Sequence, residues 1–154
     1  MTTIPDPVTT ISDSVTTIES VPPSTSAPTF STGDLEGPDV REIMVSGEPL
    51  TVAWADDIGE RSQGLRGVTD LGDLDGMLFD MATESTSTFT MQGVPIPLDI
   101  YFFGPEGDSL GMLEMDPCSD DSCPSYSLGV PFRYALEVPA GALRAGESPR
   151  LVLP

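Results

Sequence analysis

Ile96-Pro97-Leu98-Asp99-Ile100-Tyr101-Phe102-Phe103 is the stretch on which the reading of the fold turns. Side chains alternate across a strand with a period of two, so Ile96, Leu98, Ile100 and Phe102 share one face. Asp99, Tyr101 and Phe103 share the other. Gly104-Pro105-Glu106-Gly107 supplies a turn, and Ser109 to Met115 reads as the returning partner of a hairpin. Working outward, Leu50, Val52 and Trp54 alternate with Thr51, Ala53 and Ala55 as in a half-buried strand. Gly76 to Met81 reads as a buried strand, and Thr86 to Met91 as another, with Phe89 and Met91 on one face. Phe132 to Val138 and Arg150 to Leu153 complete the set. One short helix interrupts it: Asp57 is placed as an N-cap, Glu60 as its capping-box partner, and Gly64 and Gly67 as stops. Short strands at regular spacing, separated by Gly/Pro turns, predict a mainly β fold. The expected form is a single compact β-sandwich or jelly-roll-like domain with one short helix.

The chain has 154 residues, enough for one ordinary domain. Most of its large apolar residues follow Pro38, so the domain is placed at residues 38–154. Residues 1–37 read as a disordered N-terminal tether. They open on a repeat of period seven: T-T-I-P-D-P-V, T-T-I-S-D-S-V, T-T-I-E-S-V-P. Ile4, Val8, Ile11, Val15 and Ile18 have the spacing of a coiled-coil seam, but Thr, Ser and Pro dominate and Pro5 and Pro7 sit inside the first unit. An extended, solvated linker fits that composition, as in cell-surface stalks. Nothing near Met1 joins a basic end to an apolar run. An export or lipid-anchor segment is therefore expected upstream of this sequence, with the domain extracytoplasmic, either secreted or anchored at the cell surface.

The net charge of −19 arises mainly from missing cations: lysine is absent, and the basic side chains are Arg41, Arg61, Arg66, Arg133, Arg144 and Arg150. Such a surface repels phosphate backbones and anionic headgroups, which argues against nucleic acid and against direct binding to a membrane surface. Without lysine no Schiff base forms. Histidine is absent as well, so neither a Ser-His-Asp nor a Cys-His catalyst can be built. No cofactor is expected, and the domain is expected to be a monomer.

Cys118 and Cys123 stand in P-C-S-D-D-S-C-P, with Pro117 and Pro124 as stiff ends to a small loop. A metal site would need further ligands, and the carboxylates on offer suit neither zinc nor an iron–sulfur cluster. A disulfide is favoured over a metal site or free thiols, which implies an oxidising compartment.

Four groups of side chains are candidates for chemistry. Asp99 is a carboxylate flanked by aromatics, partly desolvated and in need of a cation or of hydrogen-bond donors. Arg133 and Glu137 are expected on one face of their strand, opposite Phe132, Tyr134, Leu136 and Val138. Asp99 and Glu137 together could supply the two carboxylates of a glycosidase if they converge. Arg61 and Arg66 bracket the short helix, suited to clamping an anion or to pinning the helix to a sheet. Asp70, Asp73 and Asp75 fail the EF-hand spacing, which would need ligands at Leu71 and Ala82. A looser calcium site there, or at Asp116, Asp120 and Asp121, rests on charge density alone. No metal ligand is assigned.

The motifs, taken in order, resemble a known family. They are R-x-x-G-L-R-G (Arg61 to Gly67), G-M-L-F (Gly76 to Phe79), F-T-M-Q-G-V-P-I-P-L-D-I-Y-F (Phe89 to Phe102), C-x4-C-P-S-Y (Cys118 to Tyr126) and Y-A-L-E-V-P-A-G (Tyr134 to Gly141). Together they resemble the prokaryotic family catalogued as domain of unknown function 192, from about Ile43 to the C-terminus. The resemblance implies a compact β-sandwich, commonly exported, with no established activity. It also implies that Arg61, Gly64, Met91, Pro97, Asp99, Tyr126 and Glu137 occupy motif positions. Many members read F-W-M-K-N-T where this chain has Phe89, Thr90, Met91, Gln92, Gly93 and Val94. A site built on that Trp, Lys and Asn would be missing here.

These readings lead to an extracytoplasmic binding or accessory module holding an envelope component or a small polar ligand. Arg61, Met91, Gln92, Asp99, Tyr126, Arg133 and Glu137 are its candidate binding residues. A carboxylate-dependent enzyme acting on glycan or other envelope material is the alternative, and a purely structural cell-surface domain is the third reading.

Overall fold

The structure is a computed structural model that describes residues 37–119, 121–143 and 148–154. The tether lies outside the described residues except for Gly37. Among the described residues nine strands and one short helix follow in chain order: β1 (Asp39–Val45), β2 (Glu48–Ala55), α1 (Ile58–Gln63), β3 (Gly76–Ser85), β4 (Phe89–Thr90), β5 (Leu98–Phe103), β6 (Ser109–Met115), β7 (Ser125–Tyr126), β8 (Phe132–Pro139) and β9 (Leu151–Val152). Seven of them form one sheet in the order β6-β5-β8-β3-β2-β1-β9, and β4 and β7 pair as a separate two-stranded ribbon. The mainly β domain with one short helix is as the periodicity predicts.

The helix forms where its caps dictate. The Asp57 carboxylate accepts from the Glu60 N–H at 2.8 Å, and the Glu60 carboxylate accepts in return from the N–H groups of Asp56 and Asp57. Gly64 ends it at a φ of 51°, a conformation cheap for glycine alone. Parallel strands require a crossover, and α1 with residues 64–75 supplies it between the parallel pair β2 and β3. Every other pairing in the sheet is antiparallel.

Each face of the sheet carries its own packed cluster. On one face Ala53, Ala55, Met77, Phe79, Leu98, Ile100 and Phe102 pack beneath Leu65, Val68, Leu71 and Leu74 of the crossover and Met91 and Val94 of the loop after β4. On the other face Ile43, Val52, Trp54, Leu78, Tyr101, Phe103, Leu136, Val138 and Leu151 pack on one another. Almost all of that second cluster comes from the sheet's own strands, so the sheet curls and covers its own face. The curl brings β9 to the β5–β6 turn: Leu151 N–H donates to Gly107 O at 2.9 Å, and Arg150 Nη2 donates to Glu106 O at 3.0 Å. Gly107 has a φ of 85°, and a Cβ there would overlap the Leu151 carbonyl oxygen. Only glycine permits this approach. With both faces covered, all six residues of β5 are buried.

Four elements depart from the periodicity. β1 and β7 arise in segments with no alternation strong enough to predict them. The strand expected over Thr86 to Met91 is confined to Phe89–Thr90, because Met91 turns into the core and accepts from Val94 N–H at 2.9 Å. Phe132, expected opposite Glu137, instead packs in the cluster beneath the crossover, on the Glu137 side, while Leu136 and Val138 face the other cluster. The register of β3 against β8 shifts between Asp80 and Ser85, which breaks the simple alternation at the start of β8.

Candidate functional site

Asp99 and Glu137 do not converge. In the β5–β8 register Asp99 stands opposite Val138, and Ile100 opposite Glu137. Paired residues share a face, so Asp99 belongs with Val138 and Tyr101, and Glu137 with Ile100, Met77 and Phe79. The two carboxylates lie on opposite faces of one sheet. The two-carboxylate glycosidase arrangement is therefore ruled out, and the expected patch around Asp99, Arg61 and Glu137 divides in two.

Asp99 serves the fold. Its Oδ2 accepts from the Gly141 N–H at 2.9 Å, fixing the turn after β8 against β5. Ala140 N–H donates to Pro97 O at 3.0 Å and closes the same corner. The neighbouring Tyr101 hydroxyl donates to Leu143 O at 3.3 Å. Burial, with a smaller contribution from the Asp99 charge, raises the Tyr101 pKa above its ordinary value. Arg133 is also structural: it pairs with Asp80 across β8 and β3 and lies over the Tyr134 ring at 4.4 Å.

Glu137 sits at the base of a cleft. The cleft has a volume of about 520 Å³, within the range of small-molecule sites. α1 and the residues after it form one wall, with Ile58, Arg61, Gln63 and Arg66; Phe79, Met81, Phe89 and Val94 line the apolar part, and Ser87, Thr88 and Thr90 add hydroxyls. The Glu137 side chain is only 5% exposed, and burial alone pushes its pKa from 4.5 up to about 8. Among the described residues Glu137 enters no ion pair. Ion pairs among the described residues join Arg41 to Asp39 and Asp56, and Arg133 to Asp80.

The two arginines of the cleft have different duties. Arg61 Nη1 donates to Asp56 O at 2.6 Å and to Asp80 O at 2.8 Å, so it pins α1 to β3. Arg66 lies on the rim, exposed, with its stem against Gly93: a Cβ added at Gly93 would stand 3.5 Å from the Arg66 Cγ. Gly67 N–H donates to Gly93 O at 2.8 Å and holds the two loops together. Beyond β3's regular part, Asp80 Oδ1 accepts from the Ala82 N–H at 2.9 Å, and Ala82 takes a φ of 65°. That conformation is costly for a residue with a side chain and marks a bulge beside the cleft.

The remaining sequence candidates fall outside the cleft. Met91 is fully buried in the core, and Tyr126 packs half-buried on the same cluster, opposite Phe89 in the β4–β7 ribbon. Gln92 is exposed at a turn where its N–H donates to Thr90 Oγ1 at 3.2 Å. Asp70 and Asp75 accept from the N–H groups of Gly72 and Thr51. Among the described residues no three metal-ligating side chains gather, and Asp120 lies outside them. Cys118 and Cys123 form a disulfide. Phe79 and Phe89 have a place in the cleft that the spacing of the motifs did not indicate, whereas Arg66 was one of the two arginines whose position suited it to clamp an anion. The available signal was the Glu at 137 on the same strand face as Ala135, an acid aimed at an apolar neighbourhood.

A family model, domain of unknown function 192 ("Uncharacterized ACR"), matches residues 41–147. Two crystal structures are similar in fold. One is a protein of unknown function from Novosphingobium aromaticivorans DSM 12444, 24% identical, with 86% of this chain and 99% of that one covered and a TM-score of 0.65. The other, from Sinorhizobium meliloti 1021, is described as a candidate transcription regulator; it is 24% identical, with 74% and 93% covered and a TM-score of 0.63. At that identity the likeness concerns the fold alone. No curated protein matches the chain.

Proposed function

The chain belongs to the family called domain of unknown function 192, whose description assigns no activity, and from its cleft we propose that it is a ligand-binding module for a small polar molecule. The observation that carries this reading is Glu137, a carboxyl group almost wholly buried at the base of a cleft and in no ion pair among the described residues. A buried ionisable group without a partner is costly to the fold, and a site for a ligand is where such a cost is repaid. The bulge at Ala82 beside it supports the same reading.

The module works outside the cytoplasm in this proposal. The Cys118–Cys123 disulfide supports that placement, since such bonds persist in oxidising compartments. The Thr/Ser/Pro-rich first 37 residues suit a stalk, and an envelope component is then the natural source of ligand.

Thr90, which stands where the F-W-M-K-N-T stretch of the family resemblance has Trp, lines the cleft. A Thr90→Trp variant tests the reading directly. Peptidoglycan fragments, simple sugars and amino acids would be screened by thermal shift against the wild type, Thr90→Trp and Glu137→Gln. A compound that raises the wild-type Tm and leaves both variants unmoved supports a binding cleft. If every compound leaves the wild type unmoved while both variants stay folded, the structural-domain reading replaces this one.

A further inference from the structure

We propose that the cleft takes a zwitterion with an apolar body, an amino acid or the end of a short peptide, its ammonium group at Glu137 and its carboxylate at Arg66. This rests on the cleft being a binding site and names the chemistry of its ligand.

Three features of the cleft converge on that class. First, its floor holds an acid that enters no ion pair among the described residues, and a buried carboxyl group is best relieved by a charged donor. Arg61 makes no ion pair with Glu137: its Nη1 is held by the Asp56 and Asp80 carbonyls, and it enters no ion pair among the described residues. Second, the rim holds Arg66, which enters none of the ion pairs among the described residues and whose stem is steadied on Gly93. Third, Phe79, Phe89, Met81 and Val94 lie among the lining residues, offering apolar contact to a side chain. The burial of Glu137 and the exposure of Arg66 set the polarity: the ammonium goes in first and the carboxylate stays at the mouth.

Binding is then linked to protons. Glu137 is largely protonated near neutral pH, and an ammonium group favours its ionised form, so a proton leaves as the ligand enters. Arg61 and Arg66 are the other charged side chains lining the cleft. The strand neighbours of Glu137, Met77 on β3 and Ile100 on β5, carry none. Affinity therefore rises with pH until Glu137 is ionised.

The test uses three probes with one body: phenylalanine, 2-phenylethylamine, which lacks the carboxylate, and 3-phenylpropionate, which lacks the amine. Titrations followed by NMR or calorimetry would compare wild type, Glu137→Gln and Arg66→Gln. Phenylalanine is expected to bind at least about tenfold tighter than either truncated probe. Glu137→Gln should weaken phenylalanine and the amine, and leave the acid unchanged. Arg66→Gln should weaken phenylalanine and the acid, and leave the amine unchanged. Calorimetry in two buffers of different ionisation heat should report proton release with wild type and none with Glu137→Gln. Equal binding of the acid and phenylalanine, or an Arg66→Gln variant that binds all three as wild type does, overturns the zwitterion. If these probes fail and a sugar binds in a Thr90-dependent way, the zwitterion falls and the binding cleft stands. If nothing of any class binds, both fall.

Discussion

Asp99 and Glu137 occupy neighbouring strands one register position apart, and that single step puts them on opposite faces of the sheet. Each carboxylate is buried, yet the two face different problems. Asp99 Oδ2 has a backbone N–H to accept from, at Gly141, whereas the Glu137 side chain lines the cleft and makes no ion pair among the described residues. The first stabilises a corner of the fold, and the second is what a ligand would meet.

Replacing Asp99 by alanine is expected to lower stability by about 1–3 kcal/mol, because the part-buried, charge-assisted hydrogen bond from the Gly141 N–H is lost. Urea unfolding followed by the Trp54 fluorescence would measure it. Ligand binding in the folded variant should be unchanged, since Asp99 faces away from the cleft.

Glu137 gives the protein a pH dependence of definite sign. Its folded pKa, about 8, lies above the ordinary value of 4.5. Below the ordinary value both folded and unfolded chains hold the proton, and no penalty exists. As pH rises, the unfolded chain ionises first, so the contribution to stability is lost progressively and is gone above about pH 8. The loss is on the order of a few kcal/mol. Glu137→Gln should remove this slope: the variant is expected to match the wild type in acid and to exceed it in mild alkali, as measured by denaturant unfolding across pH. A wild-type slope that survives the substitution would assign the dependence to other groups.

Closure of the curled sheet depends on Gly107. Gly107→Ala should cost more than about 2 kcal/mol, because the new Cβ both strains a positive φ and overlaps Leu151 O. Gly47 is the matched control: its φ is 86°, and nothing lies within 4 Å of an added Cβ. Gly47→Ala should cost roughly 1 kcal/mol. Equal losses at the two sites would mean that the β9 contact contributes nothing.

Reducing the Cys118–Cys123 bond opens only a short loop, and the chain-entropy model gives such a loop about 2 kcal/mol. The reduced domain is expected to stay folded with a lower Tm, as calorimetry with and without a thiol reductant would register.

Much of this was legible in the chain itself. β5 and β6 begin and end where the alternation and the Gly104–Gly107 turn put them, because a period of two leaves one choice of face for each side chain. The N-cap at Asp57 and the stop at Gly64 were equally local, set by hydrogen bonds within one helical turn. Arg61 as the residue that pins the helix to a strand was one of the two roles its position allowed. β7 was not legible, since a strand of two residues has no period, and β1 carries polar, exposed residues over its first half.

Composition alone determined what the protein lacks, namely any lysine or histidine, and the spacing of Cys118 and Cys123 suited the bond they form. Alternation along β8 also placed Glu137 opposite Leu136 and Val138 without outside help. Only the tertiary structure decided what that face meets. The register of β5 against β8 separates Glu137 from Asp99, and the β2–β3 crossover lays α1 and Arg66 along the wall of the cleft above it. Register and crossover are fixed by contacts between residues distant in the chain, where the burial of two faces, not any local propensity, selects the pairing.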